Sequence, residues 1–208
     1  DKDTNRWFMG REKTMAAISK RPWIAGSFQW SGIEHRGETV WPRLCSASGA
    51  VDLFLNKKDA FYQNQSLWTE KPMVHILPSW NMEEREGENV RVVVYTNCES
   101  AELFQDGCSL GRQDLKPMSH AEWNVIYKPG RLTVVGIKNG AEVSKTIETS
   151  GEAKKLKMEI VSELPVCGKR DALLIKCSCA DSKGRFVPDA EPEVEFFCDN
   201  TLIARVSG

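Results

Sequence analysis

The sequence predicts a mainly β protein whose first part has α/β character. Between Pro72 and Gly151 the chain is a succession of short β-type runs separated by turn residues, which is typical of an immunoglobulin-like β-sandwich. Before Pro72 the order is helix, apolar run, loop and helix. The number of residues after Gly151 is little more than half of the ~100 that a complete sandwich needs. We therefore expect a partial second sandwich at the end.

The α/β segment contains two predicted helices and one predicted strand. Apolar residues recur on one side of residues 4–20, which predicts a first helix that ends before Pro22. The run "WIAGSFQW", residues 23–30, is almost wholly apolar and predicts a strand buried on both faces. An imperfect helical stripe over residues 54–68 predicts a second helix.

The sandwich is predicted from six β-type runs and two hairpin signals. Asp106-Gly107 and Asn139-Gly140 are the dipeptides that favour tight two-residue turns. The runs are "MVHILPSWN", "NVRVVVYTN", "AELFQDGCSLG", "HAEWNVIY", "RLTVVGI" and "AEVSKTIET". We place the domain boundaries at residues 1–70 for the α/β segment, 71–151 for the sandwich and 152–208 for the partial second sandwich.

Composition excludes several classes of partner. Lys and Arg number 28 against 29 Asp and Glu, so we expect neither nucleic acid nor an anionic membrane as a partner. The chain does not begin with Met, and we interpret it as a piece of a longer polypeptide. The seven cysteines lack framework spacing, which predicts reduced thiols and favours the cytoplasm, with the periplasm as the alternative.

Familiar catalytic motifs are absent from the sequence. No P-loop or G-x-G-x-x-G follows a predicted strand, and no G-x-S-x-G elbow is present. Cys177 and Cys179 are interpreted as small buried residues of a strand, because their spacing is not that of a zinc ribbon. His75 and His120 have no evident metal or triad partner. We predict no metal site.

The segment "WIAGSFQWSGIEHRGETVWP", residues 23–42, is the candidate for chemistry. Aromatic faces suit the C–H faces of a sugar ring, and neighbouring polar groups suit its hydroxyls. Trp30 beside Glu34 and His35 could therefore line a carbohydrate site. The alternative is that the aromatic residues are core, with Glu34 and Glu38 as a solvated pair around Arg36. One strand cannot supply the two carboxyl groups, about 5 Å apart, that retaining glycoside cleavage needs.

The ordered succession of motifs resembles the β-galactosidases of glycoside hydrolase family 2. "RPWIAGSFQWSGIEHRGETVWP" is similar to the last barrel strand and following loop of that family, whose common form is G-x-F-x-W-T-G-x-D-Y-x-G-E-P. The similarity continues through "SASGAVDLFLNKKDAFYQNQSLW", "KPMVHILPSWN", "VVVYTNCESAELFQDGCSLG" and "WNVIYKPGRLTVVGIKNGAEVSKTIETSG". It covers nearly all of residues 21–151.

The resemblance implies a parent enzyme that hydrolyses terminal β-galactosides with retention. It identifies the α/β segment as the last β/α unit of a TIM barrel. Both catalytic glutamates would lie on earlier barrel strands, so we expect no catalytic residue here and an inactive isolated chain. Trp30 corresponds to a tryptophan of the sugar subsite wall, and Glu34, His35 and Glu38 become candidates for its rim. A divalent or monovalent cation in the parent would draw on residues outside this chain.

Departures from the family pattern fall in the same loop. Glu34-His35 replaces Asp-Tyr, and Gly37-Glu38-Thr39 replaces Gly-Glu-Pro. The substrate is therefore left open between a β-galactoside and another oligosaccharide. A second hypothesis is a non-catalytic β-sandwich array that binds carbohydrate or spaces domains. We also expect self-association through residues 24–30, since the predicted strand lacks its barrel neighbours.

Overall fold

The computed structural model describes residues 10–41, 43–161 and 173–206. The chain forms two compact units, Asp1–Glu148 and Thr149–Gly208. The described residues do not include Cys167. They also do not include the first part of the predicted N-terminal helix, with Trp7 and Phe8. No helix among the described residues is both long and apolar enough to cross a lipid bilayer.

Among the described residues two helices precede the sandwich, and the second begins later than its predicted start at Phe54. Helix α1 covers Arg11–Ser19 and α2 covers Asp59–Trp68. The start of α2 is delayed because the Asp52 carboxylate accepts the backbone N–H groups of Phe54 and Asn56, each at 2.8 Å. This side chain to backbone turn competes with helical hydrogen bonding. A turn therefore occupies residues 53–54, and Lys57 forms a β-bridge with Val51 before the helix begins.

The prediction of a buried strand at residues 23–30 is wrong. These residues have no strand pairing, and the side chains of Trp23, Phe28 and Trp30 are exposed to solvent. A strand needs hydrogen-bonding neighbours at its edges, and the described residues of this chain place none beside the segment. The apolar side chains of this segment are therefore exposed within this chain rather than buried in a sheet.

The sandwich contains seven strands in two antiparallel sheets, one more than the number of predicted runs. The run "AELFQDGCSLG" is itself a hairpin, so it supplies two strands. The strands are β1 Val74–Leu77, β2 Asn89–Thr96, β3 Ser100–Gln105, β4 Cys108–Asp114, β5 Ala121–Ile126, β6 Arg131–Lys138 and β7 Ala141–Glu148. One sheet has the order β1-β2-β5 and the other β4-β3-β6-β7. A short 3-10 helix, Glu83–Arg85, lies between β1 and β2.

Both predicted hairpin turns are confirmed. Asp106 and Gly107 have φ values of 50° and 86°, and Asn139 and Gly140 have values of 50° and 76°. Two successive positive φ angles are the geometry of a type I′ turn, whose twist matches that of the flanking strands. The Asp106 carboxylate also accepts the backbone N–H of Arg131 at 2.8 Å. The local turn chemistry thus sets the register of β3 with β4 and of β6 with β7.

The core lies between the two sheets of the sandwich. Alternate residues of β2, β5 and β6 point inward, as the period-two pattern of the sequence predicts. The fully enclosed aliphatic side chains are Val92, Val94, Leu103, Leu132 and Val134. Trp80 and Tyr127 close one part of this core, with ring centroids 4.8 Å apart.

The two helices pack against the β1-β2-β5 sheet through histidine–carboxylate pairs. His75 of β1 lies 2.8 Å from Asp59 of α2, and its ring is stacked on Tyr62 at a centroid distance of 3.8 Å. His120, just before β5, lies 2.8 Å from Glu12 of α1. No local sequence pattern indicates these partners, because residues from separate elements meet only after folding. They hold the helical segment on the sandwich.

We expect His75→Ala to loosen α2 from the sheet. The substitution removes both the contact with Asp59 and the stacking on Tyr62, together worth about 1–2 kcal/mol. Hydrogen exchange of the α2 amides should then quicken roughly 5–30-fold. Glu88→Gln is the control, since it breaks an exposed Arg85–Glu88 pair of the same unit. Unchanged protection of α2 in His75→Ala would show that this contact does not hold the helix.

The second unit contains two separate two-stranded antiparallel sheets among its described residues. Strands β8, Lys155–Ile160, and β9, Ile175–Ala180, form one sheet, and β10, Val194–Cys198, and β11, Thr201–Val206, form the other. Cys177 and Cys179 are half-buried rather than buried, because β9 has only one neighbouring strand in its sheet. All cysteines in the described part of the chain are free thiols, as predicted.

Candidate functional site

Trp30 stands at the edge of a folded loop that covers residues 31–58. Its indole is 73% exposed, and the peptide bond to Ser31 is cis. Residues 31–36 and 45–51 lie side by side, since the Glu34 N–H donates to the Val51 carbonyl at 3.0 Å and the Ser46 N–H to the His35 carbonyl at 2.8 Å. The loop is therefore held by backbone hydrogen bonds rather than left open.

Gly49 permits this close approach of the two loop segments. A β-carbon at position 49 would lie 2.3 Å from the backbone nitrogen of Glu34 and 2.6 Å from the carbonyl oxygen of Val51. Contacts of that length with backbone atoms cannot be accommodated without moving one segment. The glycine thus allows the segment carrying Glu34 and His35 to lie against the rest of the loop.

Glu34 forms an ion pair with Lys58 rather than with Arg36. Lys58 Nζ lies 2.5 Å from Glu34 Oε1 and also donates to the carbonyl oxygen of Ala47 at 3.1 Å. The hydrogen bond from Lys58 holds the pKa of Glu34 below its ordinary value. The Cys45 thiol donates to the other carboxylate oxygen at 3.4 Å. Burial and the adjacent carboxylate both raise the pKa of that thiol.

These contacts argue against Glu34 as a proton donor. A general acid needs a carboxyl group whose pKa is raised so that it remains protonated at working pH. The charge of Lys58 has the opposite effect, and the carboxylate is directed into the loop. Glu34 and Lys58 therefore tie the beginning of the loop to the start of α2.

His35 is fixed between Ser46 and Trp30. Ser46 Oγ accepts the backbone N–H of His35 at 3.1 Å and lies 3.0 Å from the ring atom Nδ1. The opposite ring atom, Nε2, lies 3.4 Å from Glu38. The imidazole and indole centroids are 5.4 Å apart at an interplanar angle of 73°. This edge-to-face arrangement is a favoured aromatic contact.

The structure thus places Glu34, His35 and Glu38 in one loop and Trp30 at its edge. The four candidate residues do not all make the same contacts. Trp30, His35 and Glu38 form a row on the exposed side, whereas Glu34 points inward to Lys58. Ser46, the partner of His35, is not predicted from the sequence, because it lies 11 positions further along the chain and no local pattern indicates that the two meet.

A cavity of about 660 Å³ adjoins Trp30. Its walls come from α1, α2 and residues 27–30, and they include the aromatic rings of Phe28 and Trp68. The cavity is open to solvent, and the rings of Phe28 and Trp68 are exposed. Trp30 therefore belongs to a concave aromatic surface and is not an isolated exposed side chain.

The described residues contain no cluster of three or more His, Cys, Asp and Glu side chains suited to a metal ion. The carboxylates of the loop are engaged with Lys58 and His35 instead. The chemistry that this site can offer is therefore contact with a ligand through an aromatic face and hydrogen bonds at its rim.

Comparison with known sequences identifies relatives along most of the chain. A protein of Formosa agariphila that carries a β-glucuronidase name is 35% identical over an alignment of 187 residues that covers 84% of this chain and 18% of that protein. A β-galactosidase of Bacteroides ovatus is 30% identical over 197 residues, covering 91% of this chain and 23% of that protein. This chain spans about a fifth of the length of these curated relatives.

Solved structures of glycosidases also superimpose on most of this chain. A β-glycosidase from Bacteroides vulgatus superimposes with a TM-score of 0.83 at 32% identity, over 89% of this chain and 24% of that one. The homologues and structural neighbours of this chain are β-glycosidases of glycoside hydrolase family 2. A second family 2 member, from Bacteroides cellulosilyticus, matches with a TM-score of 0.78 at 26% identity, over 88% of this chain and 27% of that one.

One family model also matches part of the chain. Residues 87–144 match a domain of unknown function, DUF4982. These residues correspond to the sandwich from the start of β2 into β7. This part of the sandwich is thus a module that recurs in other proteins. Trp30 and the loop that follows it lie outside the matched residues.

Proposed function

We propose that this chain is part of a retaining β-glycosidase in which Trp30 forms one wall of the sugar subsite. The observation that carries the proposal is the exposed indole of Trp30, held against His35 at the edge of an open cavity. The similarity to family 2 β-glycosidases over most of the chain supports it. β-Galactosides are the first candidate substrates, and the glucuronidase names among the relatives make β-glucuronides the second.

The catalytic carboxyl groups are proposed to lie elsewhere in the longer polypeptide. Retaining hydrolysis uses two carboxyl groups roughly 5–5.5 Å apart, one as nucleophile and one as acid/base. In this loop Glu34 is bound to Lys58 and Glu38 faces His35, so neither is arranged as such a pair. We propose that this chain contributes packing against the sugar and that the 208-residue chain alone hydrolyses no glycoside.

Trp30→Ala in the full-length protein is the direct test. We expect kcat/KM for the preferred chromogenic β-galactoside or β-glucuronide to fall about 100-fold, because one aromatic face against the sugar is lost. Trp41→Ala is the matched control: Trp41 is exposed on the same segment, and its loss should change kcat/KM less than about twofold.

Two results would count against the proposal. A full-length protein that hydrolyses neither substrate class but binds oligosaccharides would favour the non-catalytic sandwich array. Equal rates for Trp30→Ala and the unsubstituted enzyme would remove Trp30 from the subsite. The predicted self-association through residues 24–30 stays a separate prediction.

A further inference from the structure

A chain of contacts begins at Ser46, passes through His35 and ends on the indole of Trp30. Ser46 is buried and touches both the backbone and the ring of His35. His35 in turn presents its ring to Trp30 in an edge-to-face contact. Ser46 therefore reaches the exposed indole through one intermediate side chain.

The hydrogen bonds of Ser46 define how the imidazole is oriented. Because Ser46 Oγ accepts the backbone N–H of His35, its own proton is available to Nδ1 of the ring at 3.0 Å. On the other side of the ring, Nε2 lies 3.4 Å from Glu38. Both ring nitrogens therefore have a partner. The ring plane is thereby set from two sides.

We propose that His35, held by Ser46, is a positioning residue that fixes the angle of the Trp30 indole and so shapes the sugar subsite. The effect on the sugar subsite rests on the proposed function of Trp30. The contact between His35 and Trp30 can be tested without any enzymatic activity. An exposed indole without a neighbour samples several rotamers, and an edge-to-face contact favours one of them. His35 acts on substrate only through Trp30.

The contact can be tested in the 208-residue chain by labelling its seven tryptophans with 5-fluorotryptophan and recording ¹⁹F NMR spectra. Trp30→Phe assigns the Trp30 signal. We expect His35→Ala and Ser46→Ala each to shift or broaden that signal while the other signals stay in place. Ser119→Ala is the matched control, since Ser119 is a partly buried serine of the same unit whose hydroxyl donates to the carbonyl oxygen of Lys116 at 2.7 Å.

The outcomes separate this inference from the proposed function. A Trp30 signal that is unchanged in His35→Ala, or that moves equally in Ser119→Ala, overturns the positioning role whether or not the full-length protein is an enzyme. His35 is partly exposed, so its substitution tests the inference even if Ser46→Ala unfolds the loop.

A kinetic measurement completes the test in the full-length protein. Where Trp30→Ala lowers activity, His35→Ala should lower kcat/KM about tenfold, with an unchanged thermal unfolding temperature. A fall in unfolding temperature that accounts for the loss would assign His35 a purely structural role. Absence of any glycosidase activity would overturn the proposed function and leave the NMR result standing.

Discussion

Replacing Trp80 with alanine is expected to lower the free energy of unfolding of the first compact unit by about 3–5 kcal/mol. Trp80 is 1% exposed. Its indole N–H donates to the carbonyl oxygen of Lys128 at 3.0 Å, and its ring packs on Tyr127. The Tyr127 hydroxyl accepts the backbone N–H of Met82 at 3.1 Å. Truncation would leave a large cavity and remove a hydrogen bond that joins the segment after β1 to the segment after β5.

Urea titration followed by far-UV circular dichroism measures this change as a lower transition midpoint. Trp41→Ala provides the control, because it removes the same side chain from a position that is 81% exposed. We expect that substitution to change the free energy of unfolding by less than about 0.5 kcal/mol. Similar midpoints for the two variants would show that Trp80 does not support the sandwich core.

Asp181→Asn is expected to lower the unfolding temperature of the second unit at neutral pH. The carboxylate is 1% exposed and accepts the backbone N–H groups of Gly151, Lys183 and Arg185 at 3.0, 2.9 and 2.9 Å. The Arg185 guanidinium also donates to it through Nε at 2.7 Å and lies 2.6 Å away through Nη2. An asparagine would direct a donor NH₂ group against these donors and would remove the charge that pairs with Arg185.

The same contacts predict a dependence on pH. The hydrogen bond from Gly151, together with those from Arg185, holds the pKa of Asp181 well below its ordinary value. A carboxyl group whose pKa is lower in the folded state stabilises that state fully above the unfolded pKa of about 4. Its contribution is then lost as the pH falls further toward the folded pKa. The difference in unfolding temperature between the native protein and Asp181→Asn should therefore become smaller below pH ~4.

Calorimetry at pH 7 and at pH ~3 tests both statements about Asp181. Asp189→Asn is the control for the chemical change itself, since Asp189 is exposed in the same unit. We expect its unfolding temperature to match that of the native chain. An equal difference between Asp181→Asn and the native protein at both pH values would mean that the lowered pKa does not contribute to stability.

The proposed positioning of Trp30 by His35 concerns a loop position that departs from the common pattern of the family that the sequence resembles. That pattern has tyrosine at this position, whereas this chain has histidine, and the histidine is the neighbour of the indole. Under the proposal, a change at this position alters the support of the subsite wall rather than a catalytic group. The two kinetic tests separate these roles, because Trp30 is proposed to touch the sugar and His35 is not.

The sequence by itself determined the sandwich and its turns. The period-two pattern of β2, β5 and β6 specifies which side chains enter the core, and the Asp106-Gly107 and Asn139-Gly140 dipeptides specify tight turns through their own backbone preferences. Both signals are local, so they can be read without knowing which strands pair. The family resemblance likewise needed only the order of motifs along the chain.

Only the tertiary structure decided the environment of the site. Residues 23–30 are as apolar as a buried strand, yet they are exposed here, because burial depends on neighbours that a linear pattern does not show. The partners of Glu34 and His35 are Lys58 and Ser46, which are 24 and 11 residues away along the chain. Contacts at such separations arise from the path of the loop, and that path is set by long-range packing rather than by local preference.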